Sequence, residues 1–262
     1  MQFLLLLASL ASTASIALAA PSGWSSDTAE FYSAVAKEIK GARKTHRNQP
    51  SCDASRAKMP LTDESLPAVP EGQKLLHVTI GRGIQNYTCS STSATDKPKA
   101  TGALATLFDA TCLASTFPFL LSLLPRIAIR ESNPTYPTSP AQNLLSPFTF
   151  GPNDMPITGY HFFDSTSVPV FDLLKDGHAA VEKIAGVPAP KGALDGVGKQ
   201  RFGAVPWLYL AAVKGSAGKA KSVYRVATAG GKAPATCEGW KGNDGDGGVL
   251  SVQYAAEYWF FG

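Results

Sequence analysis

Apolar residues near the start of the chain recur with a helical period. In the stretch SDTAEFYSAVAKEIKGARK, Phe31, Val35 and Ile39 fall four positions apart, which places them on one face of a helix. Asp27 can cap this helix at its N-terminus, and Glu30 completes a variant of the capping box three residues later. The pattern therefore predicts one amphipathic helix.

Beyond this helix the hydrophobic pattern changes. Residues 43–72 contain four prolines and little periodicity, so we predict that residues 20–72 form an N-terminal helix followed by a Pro-rich extension. From residue 73 onward, short segments rich in β-branched and aromatic residues are separated by Gly, Pro, Ser and Asp. These segments are KLLHVTI, IQNYTC, GALATLFDATC, GYHFF, SVPVFDLL, PWLYLAAV, SVYRVATA and SVQYAAEYWFF.

The spacing of these segments, without helices alternating between them, predicts an all-β domain over residues 73–262. We expect it to be mainly an antiparallel sandwich or barrel. An insert at residues 117–150 combines the apolar stretch FPFLLSLLPRIAIR, which can form a short helix, with a Pro-rich loop. The expected fold is all-β with an N-terminal helical extension and a short helical insert.

The first residues have the pattern of an export signal. Residues 3–11 form a short apolar run, and Ala17-Leu18-Ala19 matches an A-x-A cleavage site, so residues 1–19 are predicted to be a secretory signal peptide. No later segment reaches the ~18 apolar residues that a membrane-spanning helix needs, so we predict no transmembrane anchor. The expected location is extracellular or in a cell wall.

Composition and charge narrow the class of protein. Charged residues make up 17% of the chain and hydrophobic residues 44%, which is typical of a globular protein. The net charge is +4, and the densest basic stretch is KEIKGARKTHR. This stretch could attract an acidic polysaccharide or a membrane surface, or it could be the solvated end of the helix. No signature of a nucleic-acid-binding module is present, so no nucleic-acid partner is predicted.

The cysteines predict disulfides and argue against a metal site. Four cysteines in an exported chain indicate two disulfides, with three possible connectivities. No pair is spaced as C-x-x-C and no Cys/His cluster has ligand spacing, so neither zinc nor a thioredoxin-like site is predicted. The stretch KGNDGDGGVL could bind calcium, but it lacks the downstream glutamate of an EF-hand loop and is better explained as a hairpin loop.

The stretch GRGIQNYTC raises two further questions. Gly81 and Gly83 fit the start of a dinucleotide-binding fingerprint, but Asn86 occupies the third glycine position. We therefore predict no nicotinamide and no other cofactor, and expect the two glycines to form a tight turn. Asn86-Tyr87-Thr88 is also the one valid N-x-T sequon, so Asn86 is a predicted glycosylation site.

Candidate catalytic residues cluster in GYHFFDSTSVPVFDLLKDGH. His161, Asp164 and Asp172 could form an acid/base or metal-assisted pocket. The alternative is a hairpin whose aromatic residues pack inward while Asp164 stabilises the turn. The chain has no G-x-S-x-G nucleophile elbow.

Aromatic residues on the late segments allow two interpretations. They can stack against a carbohydrate or pack in the core, and alternate aromatics on a strand favour the core. They are Trp207, Tyr209, Tyr254, Tyr258 and Trp259.

An ordered series of blocks resembles a known family. GIQNYTC, ATLFDATC, GYHFF with PVFDL, VPWLYLAA, VYRVATAGGKAPATC and YAAEYWFF are similar to a family of secreted fungal proteins of unknown function, with bacterial relatives. Its members often carry an automatic "malate dehydrogenase" label, and the resemblance covers roughly residues 52–262. It implies no catalytic residues, but it does imply that Cys89 pairs with Cys237, which leaves Cys52 for Cys112.

These observations favour binding over catalysis. We predict a secreted extracellular or cell-wall-associated binding or surface protein, whose partner could be a cell-wall polysaccharide or a host surface. The alternative is a secreted hydrolase or metal-assisted enzyme with a pocket near His161, Asp164 and Asp172. The dehydrogenase label is not expected to hold, because the nicotinamide motif is incomplete.

Overall fold

A computed structural model describes the protein over residues 25–45, 52–61, 64–130, 155–240 and 248–262. The predicted signal peptide, the Pro-rich part of the insert and most of the KGNDGDGGVL loop lie outside these residues. Within them, an antiparallel β-barrel carries α-helices against its outer face.

The described residues contain the following elements. The helices are α1 (Ser26–Thr45), α2 (Thr111–Thr116) and α3 (Pro118–Ala128), with short 3₁₀ turns at Ala54–Arg56 and Leu174–Asp176. The strands are β1 (Leu75–Thr88), β2 (Lys99–Asp109), β3 (Ile157–Phe163), β4 (Pro169–Asp172), β5 (Gly177–Val187), β6 (Trp207–Ala212), β7 (Ala217–Gly218), β8 (Ser222–Gly230) and β9 (Leu250–Phe261).

Eight of these strands close into a barrel. Their order is β4-β3-β2-β1-β9-β8-β6-β5, and pairing of β4 with β5 closes the circle. Every pair is antiparallel, and the two-residue β7 adds to the start of β5. The predicted antiparallel all-β fold, with an N-terminal helix and a short helical insert, is thereby confirmed, and the barrel is the correct one of the two expected forms.

Both faces of the barrel wall are buried where the helices pack. On β9, Tyr254, Tyr258 and Phe260 belong to a cluster drawn from nearly every strand, which fills the barrel interior. The alternate residues Trp259 and Phe261 belong to a second cluster that includes α2 and α3. Because a strand covered on both sides has no solvated face, its sequence shows little polar alternation.

A buried arginine joins the barrel to helix α3. Arg82, on the outer face of β1, is fully buried. Its Nε donates to the carbonyl oxygen of Ala128 at 2.8 Å and an Nη donates to that of Ile129 at 3.3 Å. These carbonyls lie at the C-terminal end of α3, where no further helical turn supplies N–H partners. The cation therefore caps the helix and also complements its dipole.

Helix α1 packs on α3 through an ion pair and an apolar contact. Asp27 is nearly buried and pairs with Arg126 at 3.0 Å and with Arg130. Phe31 is also buried, in the cluster beneath α3. The predicted capping role of Asp27 is wrong, because the Ser25 hydroxyl accepts the first-turn N–H of Thr28. The carboxylate contributes to tertiary packing instead.

The two disulfides have the pairing that the family resemblance implies. Cys52 is bonded to Cys112, which ties the extension to α2. Cys89 is bonded to Cys237, which joins the end of β1 to the segment after β8. The first bridge lies between exposed residues, whereas Cys237 of the second is fully buried.

The expected turn at Gly81 and Gly83 is wrong, because both glycines lie inside the continuous strand β1. A Cβ at Gly81 would run into the ring of Tyr258, and one at Gly83 would run into the carbonyl oxygen of Leu104. The glycines are therefore needed for close approach of neighbouring groups and not for a bend.

The unequal exposure of the disulfides predicts selective reduction. With a limiting phosphine at neutral pH, we expect Cys52 and Cys112 to be reduced and alkylated about tenfold faster than Cys89 and Cys237, because attack of the phosphorus on a disulfide sulfur requires access to that sulfur. Mass spectrometry of peptides after timed alkylation measures both rates. Equal labelling of all four cysteines would contradict this expectation.

Candidate functional site

The side chain of the predicted catalytic histidine is buried in the interior of the barrel. His161 is 4% exposed, its ring is stacked on Phe171 with centroids 4.1 Å apart, and Nδ1 is 2.9 Å from the carbonyl oxygen of Val170. Burial lowers the pKa of His161 to about 4, the hydrogen bond to Val170 opposing this only in part. The imidazole is therefore neutral near pH 7 and packs as a core residue.

The two candidate aspartates lie in turns. Asp164 accepts hydrogen bonds from the backbone N–H of Thr166 at 2.8 Å and of Val168 at 2.9 Å, which close the β3–β4 turn. Asp172 accepts from the N–H of Leu174 at 2.9 Å. Because Phe171 is the residue opposite His161, Asp172 lies on the other face of the sheet. The structure does not bring the three predicted residues into one pocket, and Asp164 has the turn role of the alternative interpretation.

The late aromatic residues are core residues and do not form an exposed stacking surface. All five are buried, and the Tyr254 and Tyr258 hydroxyls are 2.9 Å apart inside the barrel. The five aromatic residues are Trp207, Tyr209, Tyr254, Tyr258 and Trp259. Beside Trp207 in the chain, the carbonyl oxygen of Pro206 accepts a hydrogen bond from Arg225 at 2.9 Å.

A buried glutamate lies on the outer face of the barrel, under the helical layer. Glu257 is 1% exposed and is flanked by Ile80 and Val226 on the neighbouring strands. The Trp259 indole N–H donates to its carboxyl group at 2.9 Å. Burial raises the pKa of Glu257 to about 7, although the Trp259 hydrogen bond opposes the shift. No motif marks this residue in the sequence.

A histidine–aspartate pair lies at the end of the barrel where β1 and β5 begin. His77 Nε2 is 2.7 Å from Asp176 Oδ2, and Lys219 binds the other carboxylate oxygen. Hydrogen bonds from Lys219 and then from His77 lower the pKa of Asp176. The pair borders a pocket of about 190 Å³ that Asp109 and Thr158 also line. Sequence reasoning missed it because 99 residues separate the partners.

A larger cleft lies at the opposite end of β5. Its volume is about 560 Å³, and its walls are formed by residues 183, 186–193, 195, 203, 204, 206 and 232. We call it the lysine cleft, because Lys183, Lys191 and Lys232 line it against the single carboxylate of Asp195.

Two glycines shape the walls of the lysine cleft. A Cβ at Gly186 would lie 3.0 Å from Lys183 Cε, and one at Gly203 would lie 3.0 Å from Lys232 Cδ. Each lysine stem thus lies across a glycine, which leaves its ammonium group near the solvent. Gly203 has a φ of 115°, a conformation that favours glycine.

Backbone hydrogen bonds fix the loop of the lysine cleft to the barrel. The N–H of Gly230, at the end of β8, donates to Leu194 at 2.7 Å, and the N–H of Val205 donates to Gly230 at 2.8 Å. The N–H of Lys232 donates to Gly203 at 3.1 Å. Backbone hydrogen bonds therefore hold the walls of the cleft in position on the barrel.

The predicted glycosylation site lies on a strand. Asn86, near the end of β1, is half-buried, and its side-chain oxygen accepts from the Ser251 hydroxyl at 2.8 Å. Its modification stays a prediction.

The described residues contain neither a metal-binding cluster nor a membrane-spanning helix. Among them, no three His, Cys, Asp or Glu side chains are placed to hold a metal ion together. None of the helices in this part of the chain is both long and apolar enough to cross a membrane.

Comparison with known families gives two matches. A model described as "Protein of unknown function (DUF3455)" matches residues 70–262, and one described as "Protein of unknown function (DUF2990)" matches residues 8–67. No curated protein and no solved structure matches the chain. The resemblance to a family of unknown function is confirmed, while the fungal source and the dehydrogenase label are not shown.

Glu257 predicts a pH-dependent loss of stability. Its pKa of about 7 in the folded protein, against 4.5 ordinarily, means that the unfolded chain releases this proton at lower pH. The stabilisation by protonated Glu257 is complete below pH 4.5 and is lost as the pH rises through about 7. We expect the unfolding free energy of the wild type, relative to Glu257→Gln, to fall by about 3 kcal/mol from pH 4.5 to pH 8.

Urea unfolding at several pH values measures this difference. The lowered pKa of His161 gives a pH dependence of the opposite sign, but His161 is present in both proteins, so subtraction of the two curves cancels its contribution. The exposed Glu182→Gln on β5 is the matched control, whose curve should run parallel to that of the wild type. Parallel curves for Glu257→Gln would show that Glu257 does not titrate as expected.

Proposed function

This chain belongs to the DUF3455 family, and we propose that it is an extracellular or cell-wall-associated binding protein whose ligand occupies the lysine cleft. The observation that carries the proposal is the cleft itself, a concavity of about 560 Å³ lined by charged side chains and ordered backbone. Concave sites with a few converging polar groups are where proteins usually bind ligands.

The location outside the cell is supported by two features. The chain begins with a pattern typical of a signal peptide, and both of its disulfides require an oxidising environment to persist. A polysaccharide of the cell wall is the partner class that this location makes available in quantity.

Filling the lysine cleft should abolish binding. Pro190 lines the cleft and is exposed, so Pro190→Trp places an indole in it without removing a backbone donor. We expect the purified wild type to be retained on at least one of a panel of immobilised neutral and acidic wall polysaccharides. Pro190→Trp should weaken that retention by at least about tenfold, because the indole occupies the part of the cleft that the ligand would fill.

The matched control is Pro67→Trp, an exposed loop proline outside the cleft. It should be retained like the wild type, and thermal melts should show that both variants are folded. Full retention of Pro190→Trp, or no retention of the wild type on any polysaccharide, would count against the proposal.

A second candidate function is hydrolysis of small acyl esters at the His77–Asp176 pair. In the tautomer whose Nε2 donates to Asp176, the Nδ1 atom of His77 is left as a proton acceptor. It could take a proton from water as the resulting hydroxide attacks an ester carbonyl, and return it to the departing alkoxide. The pocket of about 190 Å³ limits the acyl group to a short one.

For this second candidate, His77→Gln should lower kcat/KM for p-nitrophenyl acetate by at least about 100-fold, since general-base catalysis contributes that much. The exposed His178→Gln is the control for uncatalysed reaction at surface imidazoles. Equal rates for the wild type and His77→Gln would remove this candidate.

A further inference from the structure

The charge of the lysine cleft narrows the class of its ligand. Three lysines and one aspartate line the cleft, which leaves a surplus of two positive charges in the concavity. The three lysines come from separate parts of the chain, namely β5, the following loop and the segment after β8. They therefore belong to one concavity and not to the solvated face of a single helix or strand. This arrangement favours an anionic ligand.

The lining of the lysine cleft argues against a neutral sugar. Its lining residues are Lys, Gly, Pro, Ala, Val and Asp, and no aromatic side chain is among them. A neutral saccharide would find neither an aromatic ring to stack on nor a side-chain amide or hydroxyl to bind. Charge is therefore the main source of attraction.

An extended acidic peptide is the competing occupant of the lysine cleft. Strand β5 pairs with β6 from Val181 to Val187, whereas its pairing with β4 covers only His178–Ala180. The strand pairing therefore does not decide between a peptide and a polysaccharide. The polysaccharide is favoured by the proposed location, and poly-glutamate represents the peptide in the test below.

The strength of exposed ion pairs argues for a repeating ligand. All three lysines are exposed, and one ion pair between exposed groups contributes little to affinity. A ligand with a single negative charge would therefore be unbound most of the time. A polymer stays bound longer, because a neighbouring charge takes the place of each contact that breaks. Lysine ammoniums also lack the fork geometry by which arginine selects carboxylates or phosphates.

We infer that the lysine cleft binds an acidic polysaccharide, a repeating anion carrying carboxylate or sulfate groups. This inference rests on the proposed function and specifies its ligand. Binding is electrostatic, so salt weakens it, and the polymer's charge density matters more than the identity of its sugars.

The test is retention of the purified full-length protein on immobilised polymers of known charge. Polygalacturonate and dextran sulfate separate carboxylate from sulfate, while methyl-esterified polygalacturonate and plain dextran are their neutral counterparts. Poly-glutamate represents an acidic peptide. We expect retention on one or both acidic polysaccharides, little on the neutral ones, and loss as NaCl rises from about 0.1 M to about 1 M, where the Debye length falls to about 3 Å.

Charge variants locate the binding. The triple variant K183Q/K191Q/K232Q should lose at least about tenfold in affinity, and each single variant about two- to fivefold. The control K58Q/K97Q/K214Q removes the same charge from exposed lysines elsewhere and should stay within about twofold of the wild type. Asp195→Asn removes the opposing charge and should raise affinity by about two- to threefold.

The outcomes separate this inference from the proposed function. Retention on neutral polymers that Pro190→Trp abolishes and K183Q/K191Q/K232Q does not would overturn the inference and leave the cleft as a binding site. Insensitivity to both variants would overturn both. Equal losses in the two triple variants would show that net charge alone is responsible, and tighter retention on poly-glutamate would assign the cleft to an acidic peptide; either result overturns the inference.

Discussion

The buried guanidinium of Arg82 is the contact on which the arrangement of barrel and helices depends. A charge taken out of water is tolerated only where its donors are satisfied, and here the barrel and the end of α3 provide the acceptors. Helix α3 must therefore end over β1, with its last carbonyls turned to the sheet. The position of helix α1 then depends on that of α3, because Asp27 of α1 forms ion pairs with Arg126 and Arg130. The acceptors are the oxygens of Ala128, Ile129, Gly83, Tyr254 and Gln253.

This arrangement also determines which part of the barrel is left open. The helical layer covers the outer face of β1, β8 and β9, so Glu257 is enclosed there. The same layer is contacted by Val187 at the end of β5 and by Leu194 and Val197 in the loop that follows. Lys183, Lys191 and Lys232 are exposed to solvent and line the lysine cleft. The placement of the cleft is thus a consequence of helix packing as much as of the barrel.

The sequence predicts what depends on local pattern and misses what depends on pairing over long distances. Short segments rich in β-branched and aromatic residues, with no helices alternating between them, correctly indicated antiparallel strands, and β9 was recognisable despite burial on both faces. The glycines of β1 were misread, because the reason for them is the Tyr258 ring, which lies on another strand. Arg82 and the His77–Asp176 pair could not be found, since their partners are distant in sequence and no motif marks them.

Strand β5 relates the two candidate sites to each other. The His77–Asp176 pocket ends at Asp176, just before this strand, and the lysine cleft begins at Lys183 within it, so about seven residues of strand, about 23 Å, separate them. Between them the barrel is filled by aromatic side chains, including Phe171 and Tyr258 in edge contact with centroids 5.2 Å apart. Coupling through a packed core requires an element with two discrete arrangements that both sites bias. Binding at one end therefore need not alter chemistry at the other, and each site can be tested by variants that leave the other intact.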